Sequence, residues 1–258
     1  MMRDMRKSKS WYLAAAAFIC FAPGVFAQNV TMELIAPPAG PSLGGIYISP
    51  YTALIGAPNQ TQAVITGVAT YVICDDFTTD VSINTPPWQA IGTNVASLQG
   101  ETTPDNTLKF DHGSTAAQAA QQMLDYTIAA YLAVEIMQAK AAGDVTKQGD
   151  LSFSLWGLFD PTSVDPNGPL SGYWITGTDL TKANQYLTEA RNAVLTQGLT
   201  PTDFANVTVY SPTPQSASQE YLTVSMAEPS FLALLGIDLL AVVGLVLFVR
   251  RRFAGAVS

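Results

Sequence analysis

The densest group of residues able to do chemistry is Cys74-Asp75-Asp76-Phe77-Thr78-Thr79-Asp80. Carboxylates at Asp75, Asp76 and Asp80 supply the oxygen ligands that a hard cation such as calcium takes, and two of them could act as general acid and base in glycoside hydrolysis. Neither use has its signature. Asp165-Pro166-Asn167-Gly168 shares only a fragment of an EF-hand loop. The plainer reading is a strand that ends in a solvated acidic turn. His112, the one histidine, sits in Asp111-His112-Gly113-Ser114, and the chain has no second histidine to serve as base for a serine or threonine nucleophile. A surface-loop histidine is the simpler account. P-loop and dinucleotide glycine patterns are also missing. Trp88, Trp156 and Trp174 could stack on sugar rings, although large aromatics more often belong to a core.

These groups must be placed on a mature chain. Arg3, Arg6, Lys7 and Lys9 precede an apolar run from Trp11 to Phe21, then Pro23-Gly24 and Val25-Phe26-Ala27. That order is a secretory signal peptide over residues 1–27, because the apolar run is shorter than the roughly 18 residues a span needs. Between Gln28 and Ser230 there are five basic residues against 18 acidic ones, a net charge of −13. No nucleic-acid partner is expected, since phosphate binding needs a basic surface. Of two cysteines, Cys20 falls in the leader, which leaves Cys74 unable to form an intramolecular disulfide. Free cysteine is among the most buried residue types, so Cys74 is expected to be buried, with a reactive thiol as the alternative.

The region from Pro38 to Ala96 reads as antiparallel β, a small sheet or half of a sandwich, with Tyr51 to Ile55 and Ala63 to Cys74 rich in β-branched and aromatic residues. From Thr115 to Ala142 the pattern is one long helix, with Leu124, Ile128, Leu132 and Ile136 on its apolar side and Gln118, Gln121, Gln122 and Asp125 on its wet side. Shorter helices are expected from about Gly149 to Phe159 and from about Thr178 to Gln197, the last burying Leu180, Ala183, Leu187, Ala190 and Val194. Val207 to Tyr210 and Tyr221 to Val224 read as returning strands. The expected fold class is α+β: an N-terminal antiparallel region, a central long helix with two shorter ones, C-terminal strands rejoining the sheet, and one C-terminal transmembrane helix. One exported domain would occupy residues 28–225.

Phe231 to Val249 is the expected transmembrane helix, 19 residues of which only Asp238 is charged. At about 1.5 Å per residue it reaches about 28 Å, the thickness of the hydrocarbon layer. Arg250, Arg251 and Arg252 follow and belong on the cytoplasmic side with residues 254–258, which leaves the mature domain outside. Glu228-Pro229-Ser230, an apolar stretch containing Leu234-Leu235-Gly236, and the Arg250 to Arg252 cluster near the end together resemble a PEP-CTERM sorting signal over residues 226–253. Ala227 stands where that family usually has proline. The resemblance implies an exported bacterial protein handled by the export machinery and by an exosortase-like processing enzyme, and it says nothing of catalysis.

Tyr71-Val72-Ile73-Cys74, followed far downstream by a segment ending in Trp156, faintly resembles the thioester domains of bacterial surface adhesins, in which a cysteine and a glutamine join. The glutamine belongs four residues before the tryptophan. Here Ser152 stands at that position and Gln148 is out of register, so the resemblance implies a scaffold without the bond. The sequence therefore leads to a non-enzymatic protein of the cell surface or extracellular matrix, without a cofactor and with extracellular polysaccharide as a candidate partner. The alternatives are a calcium- or glycan-binding module, or a secreted carbohydrate-active hydrolase.

Overall fold

A computed structural model describes residues 27–36, 42–43, 46–61, 65–79, 86–161 and 178–225. Residues 1–26 of the signal peptide, Asp80, the loop Asp165–Pro169, Trp174, the sorting motif Glu228-Pro229-Ser230 and Arg250 to Arg252 lie outside the described residues.

The strands are β1 (Gln28–Ala36), β2 (Ser42–Leu43), β3 (Ile46–Tyr47), β4 (Tyr51–Gly56), β5 (Gly67–Cys74), β6 (Trp88–Asn94), β7 (Val207–Thr213) and β8 (Tyr221–Val224). Between β6 and β7 come the helices α1 (Ala116–Ala142), α2 (Val145–Phe159) and α3 (Thr178–Gln197). Six strands close into an antiparallel barrel in the order β1-β4-β5-β8-β7-β6, while β2 and β3 form a separate ribbon.

Two parts of the expected fold class are corrected by this arrangement. An open sheet or half-sandwich was expected, but β6 pairs with β1 on one side and with β7 on the other, and the β7–β8 hairpin reaches β5. Closure removes both free edges, which would otherwise expose rows of unpaired N–H and C=O groups. The expected transmembrane helix is the second correction: among the described residues no helix is long and apolar enough to cross a membrane, and residues 231–249 lie outside them. The three described helices bury their apolar sides against the barrel or against one another instead.

Strand alternation divides the apolar residues into two cores. Val30, Met32, Leu34, Ala53, Val72, Cys74, Trp88, Ala90 and Tyr221 fill the barrel. Their outward neighbours Ile73, Val207, Val209 and Leu222 pack against Tyr126, Ile128, Leu132 and Ile136 of α1 and Leu151 and Leu155 of α2. Helix α2 packs against both α1 and α3, which is why every residue from Gln148 to Leu158 is buried. One close cross-strand fit matters for closure. Gly92 faces Tyr210, and a Cβ there would come within 3.0 Å of the tyrosine ring.

Local signals set the ends of α1. Thr115 and Gln118 form a capping box, and Gly143 ends the helix at φ 71°, a left-handed conformation that glycine adopts without cost. Asp144 then caps α2 by accepting from Lys147 N, so α2 begins at Val145, ahead of the expected Gly149. Gln122 departs from the expected wet side. It is buried, its Oε1 accepts from Asp105 N at 2.7 Å, and its Nε2 donates to Asp105 O at 3.0 Å and Phe110 O at 3.1 Å. This side chain ties the polar connection after β6 to the long helix. Replacing it by leucine leaves those backbone groups without partners, so Gln122→Leu is expected to lower unfolding free energy by about 1–3 kcal/mol in urea titrations.

Candidate functional site

Strand β5 ends at Cys74, and the residues that follow leave the barrel wall into the junction between barrel and helices. Cys74 is fully buried, with Sγ donating to Asp76 O at 3.1 Å. Burial foremost, then the neighbouring Asp75 and Asp76 carboxyls, pushes the thiol well above its ordinary range, so little nucleophilic thiolate forms. Trp156 Nε1 donates to Cys74 O at 2.9 Å, and Cys74 N donates to Ser49 Oγ at 3.0 Å. Ser49 N in turn donates to Ser152 Oγ at 3.1 Å, and Ser152 Oγ donates to Gln148 O at 2.8 Å. The fold thus brings Cys74, Ser152 and Trp156 into one network. In it Ser152 meets the cysteine through Ser49 rather than directly.

Asp75 and Asp76 are both fully buried, which replaces the expected solvated turn. Their side chains have different partners. Asp76 Oδ1 accepts from Thr78 N and Thr78 Oγ1 at 3.0 Å and from Thr79 N at 3.2 Å. Its Oδ2 is in contact with Lys109 Nζ, which also donates to Thr79 Oγ1 at 2.7 Å and to Ser218 O at 3.0 Å. The Asp76 charge is therefore matched on both oxygens.

No N–H or hydroxyl of another residue among the described residues hydrogen-bonds either oxygen of Asp75. Its partner is another carboxyl, Glu220, from the residue just before β8. Glu220 Oε1 accepts from Tyr126 Oη at 2.6 Å, and its Oε2 accepts from Lys109 N at 2.8 Å and from Ser211 Oγ. With three donors, Glu220 is the better served of the two carboxyls, and Asp75 is the one whose surroundings favour the neutral form. Burial, then repulsion from Glu220 and Asp76, holds the Asp75 carboxyl well above the usual carboxylate range. Burial also raises Glu220, against the lowering effect of its three donors.

Lys109, Tyr126, Ser211 and Glu220 were not among the residues singled out from the sequence. The one available signal was that Lys109 is among only five basic residues between Gln28 and Ser230. Among the described residues no group of three or more His, Cys, Asp and Glu side chains is placed to hold a metal ion. Any cation at Asp76 would have to displace Lys109. His112 contacts Leu108 O and Gln215 Nε2, away from this cluster. Trp88 lies inside the barrel and Trp156 in the junction, so neither offers a face to a sugar.

A cleft of about 800 Å³ opens elsewhere, where β5 and β8 separate beyond their two paired positions, Ile73↔Leu222 and Cys74↔Tyr221. Thr52, Thr70, Tyr71, Met137, Tyr210, Thr223 and Val224 are among its lining residues. No Asp, Glu, Lys or Arg is among its lining residues.

The carboxyls give a sign to the pH dependence. Asp75 and Glu220 are raised, and burial raises Asp111 and Asp150 to about 6. A carboxyl with a folded pKa above its unfolded one contributes stability that is present below the unfolded value and lost as pH rises through the folded value. The window therefore opens above the ordinary carboxylate range and runs through about 6 and higher. Thermal melts are expected to show a higher midpoint near about pH 5 than near about pH 8. Asp75→Asn, which keeps a donor toward Glu220 and cannot ionise, should flatten that difference. Comparison with protein-family models, with curated proteins and with solved structures finds no match to this chain.

Proposed function

We propose that the chain is a non-enzymatic exported protein of the cell surface or extracellular matrix, sorted through Glu228-Pro229-Ser230 and Arg250 to Arg252 by an exosortase-type system. The observation that carries the non-enzymatic part is the use made of the reactive groups. Asp75, Asp76, Cys74 and Glu220 are all fully buried, and their bonds run to Lys109, Tyr126, Ser211, Thr78 and Thr79 of the same chain. A general acid or base must reach a substrate proton within hydrogen-bond distance, and these carboxyls face the interior. They join elements of the fold.

Two further features support export. The order of charge and apolarity in residues 1–27 matches a secretory leader, and the −13 balance from Gln28 to Ser230 with abundant Thr, Ser, Asn and Gln suits a hydrated exterior. A single cysteine in that span means the fold is stabilised without a disulfide.

A second reading, a module that holds an uncharged glycan, is favoured by the cleft between β5 and β8. It has the volume of a small-ligand site, carries hydroxyls from Thr52, Thr70, Thr223 and Ser225, and lacks charged lining residues. Tyr71, 47% exposed, would supply a ring face on the side opposite Lys140 Nζ, which lies 4.1 Å from the ring centroid.

The sorting proposal is tested by mass spectrometry of the protein recovered from its source. A C-terminus near Glu228 is the expected result, and an intact Ser258 on the fully matured protein would remove the sorting reading. For the glycan reading, Tyr71→Ala is expected to weaken binding on a glycan array at least several-fold, and an array with no positive sugar would count against it.

A further inference from the structure

The contact between Lys109 and Asp76 has the components of a covalent bond-forming site. Asp76 is fully buried and the Lys109 side chain is 12% exposed, so this ion pair has been taken largely out of water. Such a pair carries a desolvation penalty that its mutual attraction need not cover, and replacing it with a neutral group of similar shape is often neutral or stabilising. The Lys109 amine lies against Asp76 Oδ2 and is held from two other directions by Thr79 Oγ1 and Ser218 O. On the far side of the carboxyl, Thr78 N, Thr78 Oγ1 and Thr79 N all point at Oδ1. Three donors on one oxygen and an amine at the other is the arrangement that favours attack on the carbon between them, since charge developing on Oδ1 meets dipoles already in place. Holding the two groups together also removes the translational cost of a bimolecular step.

We infer that Lys109 and Asp76 form an intramolecular amide bond, a modification site that staples the end of β5 to the connection between β6 and α1. The step balances without any other reactant. The ammonium of Lys109 passes a proton to Asp76 Oδ2, which gives a neutral amine and a neutral carboxylic acid. The nitrogen lone pair forms the N–Cγ bond while Oδ1 takes the negative charge under the Thr78 and Thr79 donors. The C–Oδ2 bond then breaks as Oδ2 accepts a second proton from nitrogen and leaves as water. One hydrogen remains on the amide nitrogen. The partial exposure of Lys109 gives the water a way out. Neighbouring Glu220 accepts from Lys109 N at 2.8 Å, so it fixes the lysine backbone during the step.

The chemistry would fill a specific gap in this fold. With Cys74 as the only thiol after the leader, no disulfide can connect distant strands, and β8 meets β5 through only two paired positions near this junction. A bond between positions 76 and 109 closes the chain across the junction where that pairing is shortest.

The test is intact-mass and peptide analysis of the folded, purified chain after denaturation. The expected mass is lower than that of the sequence by one water. Trypsin should leave the Lys109–Phe110 bond uncut, because an acylated lysine is not a cleavage site. The sequence has no other Lys or Arg from Gln28 to Ala139, so the missing cut joins Gln28 to Lys140 in a single peptide lighter by one water. Lys109→Arg keeps the positive charge and lacks the amine, and it should show the full mass and a lower thermal midpoint. Full mass in the natural chain together with normal cleavage at Lys109 overturns the inference, whether or not the variant folds. Loss of water that persists in Lys109→Arg also overturns it, since the dehydration would then lie at another residue.

Discussion

Carboxyl groups cannot be buried without something to answer their charge, and that constraint organises the junction of this protein. Asp75, Asp76 and Glu220 are all inaccessible to solvent, with one lysine among them. Two devices resolve this. Asp76 takes Lys109, and burial beside Glu220 pushes the Asp75 carboxyl toward its neutral form. Because Glu220 also receives Tyr126 from α1, Ser211 from β7 and the backbone of Lys109, the same cluster joins the barrel, the long helix and the connection between them. Removing one member would leave a buried charge without an answer, which costs more than the loss of a surface pair.

The helices were legible in the sequence and the barrel was not. Thr115, Gln118 and Gly143 are local signals whose meaning depends on neighbours three or four residues away, and α1 starts and ends where they place it. Closure depends on β6 pairing with β7 across the whole helical excursion, as in Gly92↔Tyr210. No local period encodes a partner that far away; the small residue at Gly92 acquires its meaning only when Tyr210 lies opposite. Gln122 failed for a related reason. A polar side chain on a helix normally faces water, whereas here the backbone of Asp105 and Phe110 replaces the water.

The candidate site shows the same division. The stretch Cys74 to Asp80 stood out because its charges are adjacent in sequence, but its partners Lys109 and Glu220 are single charges far along the chain. Adjacency suggested a solvated turn or a cation site, while the structure surrounds Asp75 and Asp76 with the chain itself. Ser152 and Trp156, named beside Cys74 by the resemblance to thioester domains, share a hydrogen-bond network with it in this fold, with Ser49 between the serine and the cysteine. What the junction supplies is cohesion between a barrel and a helical layer.

The measurement that bears most directly on this account is the infrared spectrum of the folded protein at neutral pH in heavy water, compared with that of Asp75→Asn. A carbonyl band from a protonated carboxyl, shielded from solvent and lost in the variant, is the predicted result. A spectrum in which every carboxyl absorbs as carboxylate would contradict the neutral form of Asp75 beside Glu220, and with it the account of how the junction is held.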